Sequence, residues 1–256
     1  MIDSLYPHFK ELSNGGGIFI YSDPHFGEVD SYKFRFPEII LDEKDYYAQQ
    51  TGDACEAYES YIARKVKELD MMQVKNINRV CSKHDTLIIL GDVGDTEYVK
   101  KLKAGHKILV LGNHDRGVTN YQRIDKVVQA KIDSNDDEVI KVLEDNGFKK
   151  FDFEEGVYFK EEDNRLFDEV YDGAVTIARN IILSHEPLVS HFFYNIHGHV
   201  HDTSIVGDEY HFNCCAEVIG YTPICLGNLI KLGALKNIPD IHRETIDYAT
   251  IRKSRK

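Results

Sequence analysis

Histidine, aspartate and asparagine recur in this chain in five short islands whose residue types and spacing suit a metal centre. They are Asp23-Pro24-His25, Gly91-Asp92, Gly112-Asn113-His114-Asp115, Ser184-His185-Glu186-Pro187 and Gly198-His199-Val200-His201. A mixture of imidazole nitrogen and carboxylate oxygen suits Mn, Fe, Zn or Ni better than Ca or Mg, which prefer all-oxygen shells. Asp23 and His25 stand two apart, as do His199 and His201, so on an extended strand end each pair can share a face and grip one ion. Asp92 follows Gly91, whose missing side chain lets the backbone turn sharply and aim the carboxylate inward. The two oxygens of that carboxylate can bridge two ions. In the third island the amide oxygen of Asn113, an uncommon metal ligand, is followed directly by an acid/base residue, His114, and a carboxylate to orient it, Asp115. His185 completes the set. Buried together without an ion, so many imidazoles and carboxylates would be costly unpaired polar groups.

Each island follows or ends a short apolar run that reads as a buried strand, which puts the chemistry on loops at one edge of a sheet. Ile18 to Tyr21 delivers the first island, Thr86 to Leu90 the second, Lys107 to Leu111 the third and Asn180 to Leu183 the fourth. Phe192 to Ile196 delivers the fifth. Thr96 to Lys103 reads as a helix between two of these strands, giving a strand-helix-strand unit that favours parallel pairing. Asp53 to Ser82 carries apolar residues at helical spacing and predicts one or two helices. Asp95 is read as the cap of the Thr96 helix. A short helix ends at Asn146-Gly147. Further strands are expected at Val157 to Phe159, Val170 to Ala178 and Glu209 to Cys214. The charged run Glu161 to Asp163, with Asp168 and Glu169, reads as a solvated loop. The whole chain, residues 1–256, reads as a single domain with insertions near 28–52 and 133–172.

With 256 residues and 42% hydrophobic content, the chain is long enough for one full-sized core. The net charge of -12 argues against a protein that coats extended nucleic acid. A small phosphorylated substrate remains compatible, because bound metal ions dominate the local field. Five cysteines without metal-finger spacing fit a reducing compartment, with Cys214 and Cys215 read as strand residues. No stretch approaches the ~18 to 20 apolar residues of a membrane span, and a soluble, cytoplasmic protein is the expectation. His8, His84, His106, His191, His211 and His242 are read as ordinary surface or core histidines, and His197 as packing or support for the site. The basic end, Arg252 to Lys256, reads as a frayed tail.

Taken in chain order over residues 18–201, the D-x-H, GD, GNHD, H and GH-x-H blocks resemble the calcineurin-like metallophosphoesterase superfamily. SD-x-HFG, LSH-x-P and HGH-x-H are similar to its small prokaryotic and phage-type members. The resemblance implies a four-layer α/β fold, two packed mixed β-sheets flanked by helices. It also implies two divalent metal ions, Mn first, with Fe, Zn or Ni as alternatives. Asp23, His25, Asp92 and His201 would hold one, while Asp92, Asn113, His185 and His199 would hold the other. His114 would be the catalytic histidine facing substrate, oriented by Asp115. Two ions ~3.5 to 4 Å apart can activate a bridging water as hydroxide and clamp the phosphoryl oxygens during in-line displacement.

The implied function is hydrolysis of a small phosphate ester, a nucleotide among the candidates, with a phosphodiester favoured over a monoester. The alternative is a phosphomonoesterase acting on a nucleotide or phosphoprotein. A non-enzymatic metal-binding interaction module ranks lower, because the ligand set and His114 are intact. Glu28 departs from the family, which often carries histidine there. The two insertions are candidates for a cap over the site.

Overall fold

The computed structural model describes residues 2–5, 15–37, 42–50, 56–115, 121–122, 124–131, 137–150, 155–178, 180–203 and 208–238. His8, His242, Cys55, the acidic stretch 133–136 and the basic end 252–256 lie outside these residues. In chain order the elements are β1 (Asp3–Ser4), β2 (Ile18–Tyr21), α1 (Val29–Arg35), α2 (Glu43–Gln49), α3 (Tyr58–Val80), β3 (Thr86–Ile89) and β4 (His106–Val110). They continue with β5 (Ile124–Lys131), α4 (Asp137–Asp145), β6 (Lys149–Lys150), β7 (Val157–Asp163), β8 (Glu169–Tyr171), β9 (Val175–Ala178) and β10 (Ile181–Ser184). The last are β11 (Tyr194–His197), β12 (His211–Asn213), β13 (Ile224–Cys225) and α5 (Leu226–Lys231).

Two mixed five-stranded sheets, flanked by helices, carry the site. One has the order β13-β2-β3-β4-β8, with β2, β3, β4 and β8 parallel; the other has the order β1-β9-β10-β11-β12, with β10, β11 and β12 parallel. Alternate residues of both sheets meet in one apolar core. Ile18 and Ile20 of β2, Ile88 of β3, and Ile108 and Val110 of β4 join Val175 and Ile177 of β9, Ile181 and Leu183 of β10, and Ile196 of β11. Leu87 and Ile89, on the other face of β3, are also fully buried. Burial on both faces is why these strands read as continuous apolar runs rather than as alternation.

Helix α3 has buried Ile62, Val66, Asp70, Gln73, Val74 and Ile77 on one side, a spacing that keeps them on a single stripe. Its acidic Glu59 near the start and Arg79 in the last turn suit the helix dipole. The aromatic-rich stretch before it had no readable period, yet it contains α1 and α2. Both dock by aromatic side chains: Tyr32 against Ile62 and Val66, and Tyr46 against the rings of Tyr58 and Tyr61.

Several expectations are corrected. The helix expected over Thr96 to Lys103 is only a 3-10 turn, Val99–Lys101. The loop through Asp95 uses up much of the connection from β3 to β4, and Val99, Leu102 and Ala104 are buried with too few residues left for an α-helical crossover. Parallel pairing of β3 with β4 holds nonetheless. Asp95 is not the cap of that turn: its carboxylate accepts from the Glu97 N–H at 3.0 Å, ahead of the turn, whose N-cap is Tyr98 with no side-chain cap hydrogen bond. Glu161–Asp163 is not a loop but the end of β7, in register with Ile124–Lys126 of β5. The run Val170 to Ala178 divides at Asp172-Gly173 into β8 and β9, which belong to different sheets. Residues Val118–Asp168 form a compact unit of their own, whose sheet has the antiparallel order β5-β7-β6. Met1–Gly117 and Glu169–Lys256 form the other unit, which contains all five islands.

Candidate metal centre

All five islands lie at strand ends. β2 runs into Asp23, β3 into Gly91-Asp92, β4 into Gly112-Asn113, β10 into His185 and β11 into Gly198-His199. The loops interlock through the backbone, with Asp23 N–H donating to Gly91 O at 3.2 Å and Gly198 N–H to His185 O at 2.9 Å. Gly91 is obligatory here: its φ is +87°, and a Cβ would lie 2.6 Å from both Gly112 Cα and His185 Nδ1. The turns are strained as well. Asp23, His25, Asp92, His199 and His201 all have positive φ, 46° to 67°, and Tyr221 is the sixth such non-glycine residue among the described residues. A left-handed side-chain residue costs roughly 1–2 kcal/mol, so strain gathered on candidate ligands is what a functional constraint leaves behind.

The side chains converge in two groups. The donor atoms of Asp23, His25 and His201 lie within 4.8 Å of one another, and so do those of Asp92, His185 and His199. Asp92 stands between the groups, its Oδ2 3.7 Å from His25 Nε2 and 3.5 Å from His185 Nε2. Asn113 joins the second group, its Oδ1 2.8 Å from His185 Nε2 and 3.0 Å from His199 Nδ1. His114 lies above the row, with its side chain 58% exposed and its Nε2 4.0 Å from Asp92 Oδ2.

Three of the imidazoles have one nitrogen held from outside. His25 Nδ1 donates to Glu28 at 2.7 Å, His201 Nδ1 to Glu217 at 2.5 Å, and His185 Nδ1 to the Leu90 carbonyl at 2.8 Å. An oxygen acceptor fixes the proton on Nδ1 and leaves the Nε2 lone pair facing the centre, the usual support of a metal-binding histidine. The Oδ2 of Asp23 is occupied by Ser22 Oγ, the His199 N–H and Cys215 Sγ. Its Oδ1, like His25 Nε2, is buried with no hydrogen-bond partner among the described residues. Orphaned lone pairs of this kind are what divalent cations satisfy, so the donor set fits such ions. Burial pushes the Asp92 carboxyl above its ordinary range, and the neighbouring His185 pulls it back.

Support from farther away was not legible in the sequence. Arg35, at the end of α1, has a side chain only 1% exposed; it donates to Asp23 O at 2.5 Å and Pro24 O at 3.3 Å, and pairs with Glu217 at 3.1 Å. Burial alone would raise the Glu217 carboxyl, yet the hydrogen bond from His201 and the charge of Arg35 hold it below its ordinary value. On α3, Gln73 donates to Pro24 O at 3.1 Å and accepts from Tyr21, while Asp70 accepts the Gly27 N–H at 2.9 Å. Glu28 is the one member a sequence could have offered, since it falls three residues after His25. Asp115, expected beside His114, is buried, and its two oxygens accept from the backbone N–H groups of Gly112, Asp92 and Val93. It therefore ties the second and third islands together. His197 is buried, with Nδ1 against the Gly198 carbonyl and its ring edge-on to His211.

The family model for calcineurin-like phosphoesterases matches residues 17–217, which reach from the start of β2 to Glu217 and include every island. The chain belongs to this family. As a calcineurin-like phosphoesterase it is a metal-dependent hydrolase of phosphoric esters, and divalent metal ions are implied. No curated protein matches it. Among solved structures, it is similar to a protein of unknown function from Aquifex aeolicus, with 20% identity and a TM-score of 0.46 over 85% of this chain and 99% of that one. Beside the phosphoesterase centre, a cleft of about 160 Å³ is lined by Gly112, Asn113, Asp172, Ser184, His185 and Leu188, among others. No helix among the described residues is long and apolar enough to cross a membrane.

Proposed function

We propose that this protein is a dinuclear metallophosphodiesterase acting on small phosphate diesters. The observation that carries the reading is the Asp92 carboxylate between two donor groups, 3.7 Å from His25 Nε2 and 3.5 Å from His185 Nε2, with Asp23 Oδ1 and His25 Nε2 otherwise orphaned. Asp23, His25, Asp92 and His201 would hold one ion, and Asp92, Asn113, His185 and His199 the other. The family resemblance puts Mn first, with Fe, Zn and Ni behind it, and all four accept mixed nitrogen and oxygen donors. When bound, such a pair supplies an acidified water as nucleophile and neutralises charge on the phosphoryl oxygens.

The protein's own side chains do the rest. His114, exposed above the row with its Nε2 4.0 Å from Asp92 Oδ2, would meet a non-bridging or leaving oxygen of substrate there as hydrogen-bond donor and general acid. Asp115 is a positioning residue, holding the Asp92 and Gly112 loops in register through three backbone amides. Glu28, Glu217 and the Leu90 carbonyl keep three histidine lone pairs turned inward. The cleft beside Asn113 and His185 leaves room for a second ester arm, which supports a diester over a monoester. Free Cys81, Cys214, Cys215 and Cys225 suit a reducing compartment such as the cytoplasm.

The test is the ratio of kcat/KM for bis(p-nitrophenyl) phosphate to that for p-nitrophenyl phosphate, with stripped protein reloaded with Mn. A ratio well above one is expected. A ratio well below one would replace this reading with a phosphomonoesterase.

A further inference from the structure

A large apolar ring stands in water at the edge of the centre. Phe34 is 57% exposed, and its ring centroid lies 5.4 Å from that of His201, at an angle of 62°. The ring is continuous with the row: His201 stacks on His25 at 5.3 Å, and His25 meets His114 edge-on at 5.4 Å. The helix that carries Phe34 is rigidly held on its other sides. Tyr32 is buried against Ile62 and Val66, Phe36 packs there as well, and Arg35 is tied to Asp23 O, Pro24 O and Glu217. Within that helix Phe34 alone faces the row with an open ring, on an element too firmly docked to turn it away.

We propose that Phe34 is the platform for a planar ring on the substrate's ester arm, which makes the substrate class a phosphate ester carrying a nucleobase or aryl group. The inference rests on the phosphodiesterase reading and narrows it. Phosphate at the row and a ring over Phe34 would engage the His201 end, while the cleft at Asn113 and His185 receives the other arm. Stacking on an aromatic side chain accepts any planar ring, because every such ring has a π-face.

The test is titration calorimetry of Mn-loaded protein with adenosine 5′-phosphate, phenyl phosphate and methyl phosphate, in the wild type, Phe34→Ala and Phe34→Trp. Wild type should bind at least one of the two ring-bearing phosphates about tenfold more tightly than methyl phosphate, the scale of one base stacked on an aromatic side chain. That preference should fall towards one in Phe34→Ala and return in Phe34→Trp. Preference for the adenosine compound would point to a nucleobase, and preference for the phenyl compound alone to an aryl ester. An equal ratio in wild type and Phe34→Ala, including proportional weakening of every ligand, would overturn the platform. Turnover of the p-nitrophenyl diester, measured alongside, separates the two failures: ring-selective binding without turnover sinks the phosphodiesterase reading and leaves the platform standing.

Discussion

The two halves of the metal row are built in different ways. The Asp23, His25 and His201 half is held by side chains: Glu28 three residues on from His25, Arg35, Glu217 and, through the Pro24–Gly27 loop, Gln73 and Asp70 of α3. The Asp92, His185 and His199 half is held mostly by backbone. Leu90 O fixes His185, Asp115 gathers three amides, and glycine at 91 lets the loops touch. A half held by side chains can be tuned by single substitutions at a distance, whereas a half held by backbone tolerates change only where the chain does not have to bend. Asp92 stands between them, its Oδ2 3.7 Å from His25 Nε2 and 3.5 Å from His185 Nε2.

That contrast can be broken at several points. Asp92→Asn should produce the largest loss, because it weakens both halves together; turnover near background is expected, and turnover close to wild type would undo the shared role. His114→Ala should retain both ions by elemental analysis yet lower kcat by about 10² to 10⁴, the usual range for a positioned acid or base. Glu217→Gln should sharpen the comparison. Metal affinity of the first half should fall about 10- to 100-fold, as for other outer partners of ligating histidines, with the second half keeping its ion. Equal weakening of both ions in a calorimetric titration would show that the halves are not separable.

The smallest effect concerns stability. Burial pushes the Asp70 carboxyl up to about 6, with the Gly27 and Tyr98 hydrogen bonds opposing. The folded protein thus binds this proton more tightly than the unfolded chain does. Its contribution to stability is present at low pH and declines as pH rises from the unfolded value near 3.8 through about 6. Asp70→Asn should remove that slope and gain roughly 1 to 2 kcal/mol at neutral pH. Denaturant midpoints measured from pH 4 to 7 would check it, and parallel curves for the two proteins would contradict it.

The legibility of the sequence follows the same division. The islands are local, each ligand lying beside a buried strand and, except at His185, within a few residues of a glycine, so their types and spacing were readable along with the strands that deliver them. The parallel core was readable too, because burial on both faces wrote unbroken apolar runs at β2, β3 and β4. The supports of the first half were not readable. Arg35 reaches Asp23 across 12 residues and Gln73 reaches Pro24 across 49, and a charged or polar residue on a helix carries no mark of the partner it will meet. The expected Thr96 helix failed because chain length was already committed to the Asp92 loop. β13 and α5 were missed because elements of two and six residues leave no period to read.

The central claim is that two ions share the Asp92 carboxylate. Electron paramagnetic resonance of Mn-loaded protein, with Mn content measured on the same samples, tests it most directly. Two ions per chain with an exchange-coupled spectrum, lost in Asp92→Asn, are expected. One ion per chain, or two ions giving only the spectrum of isolated Mn, would contradict it.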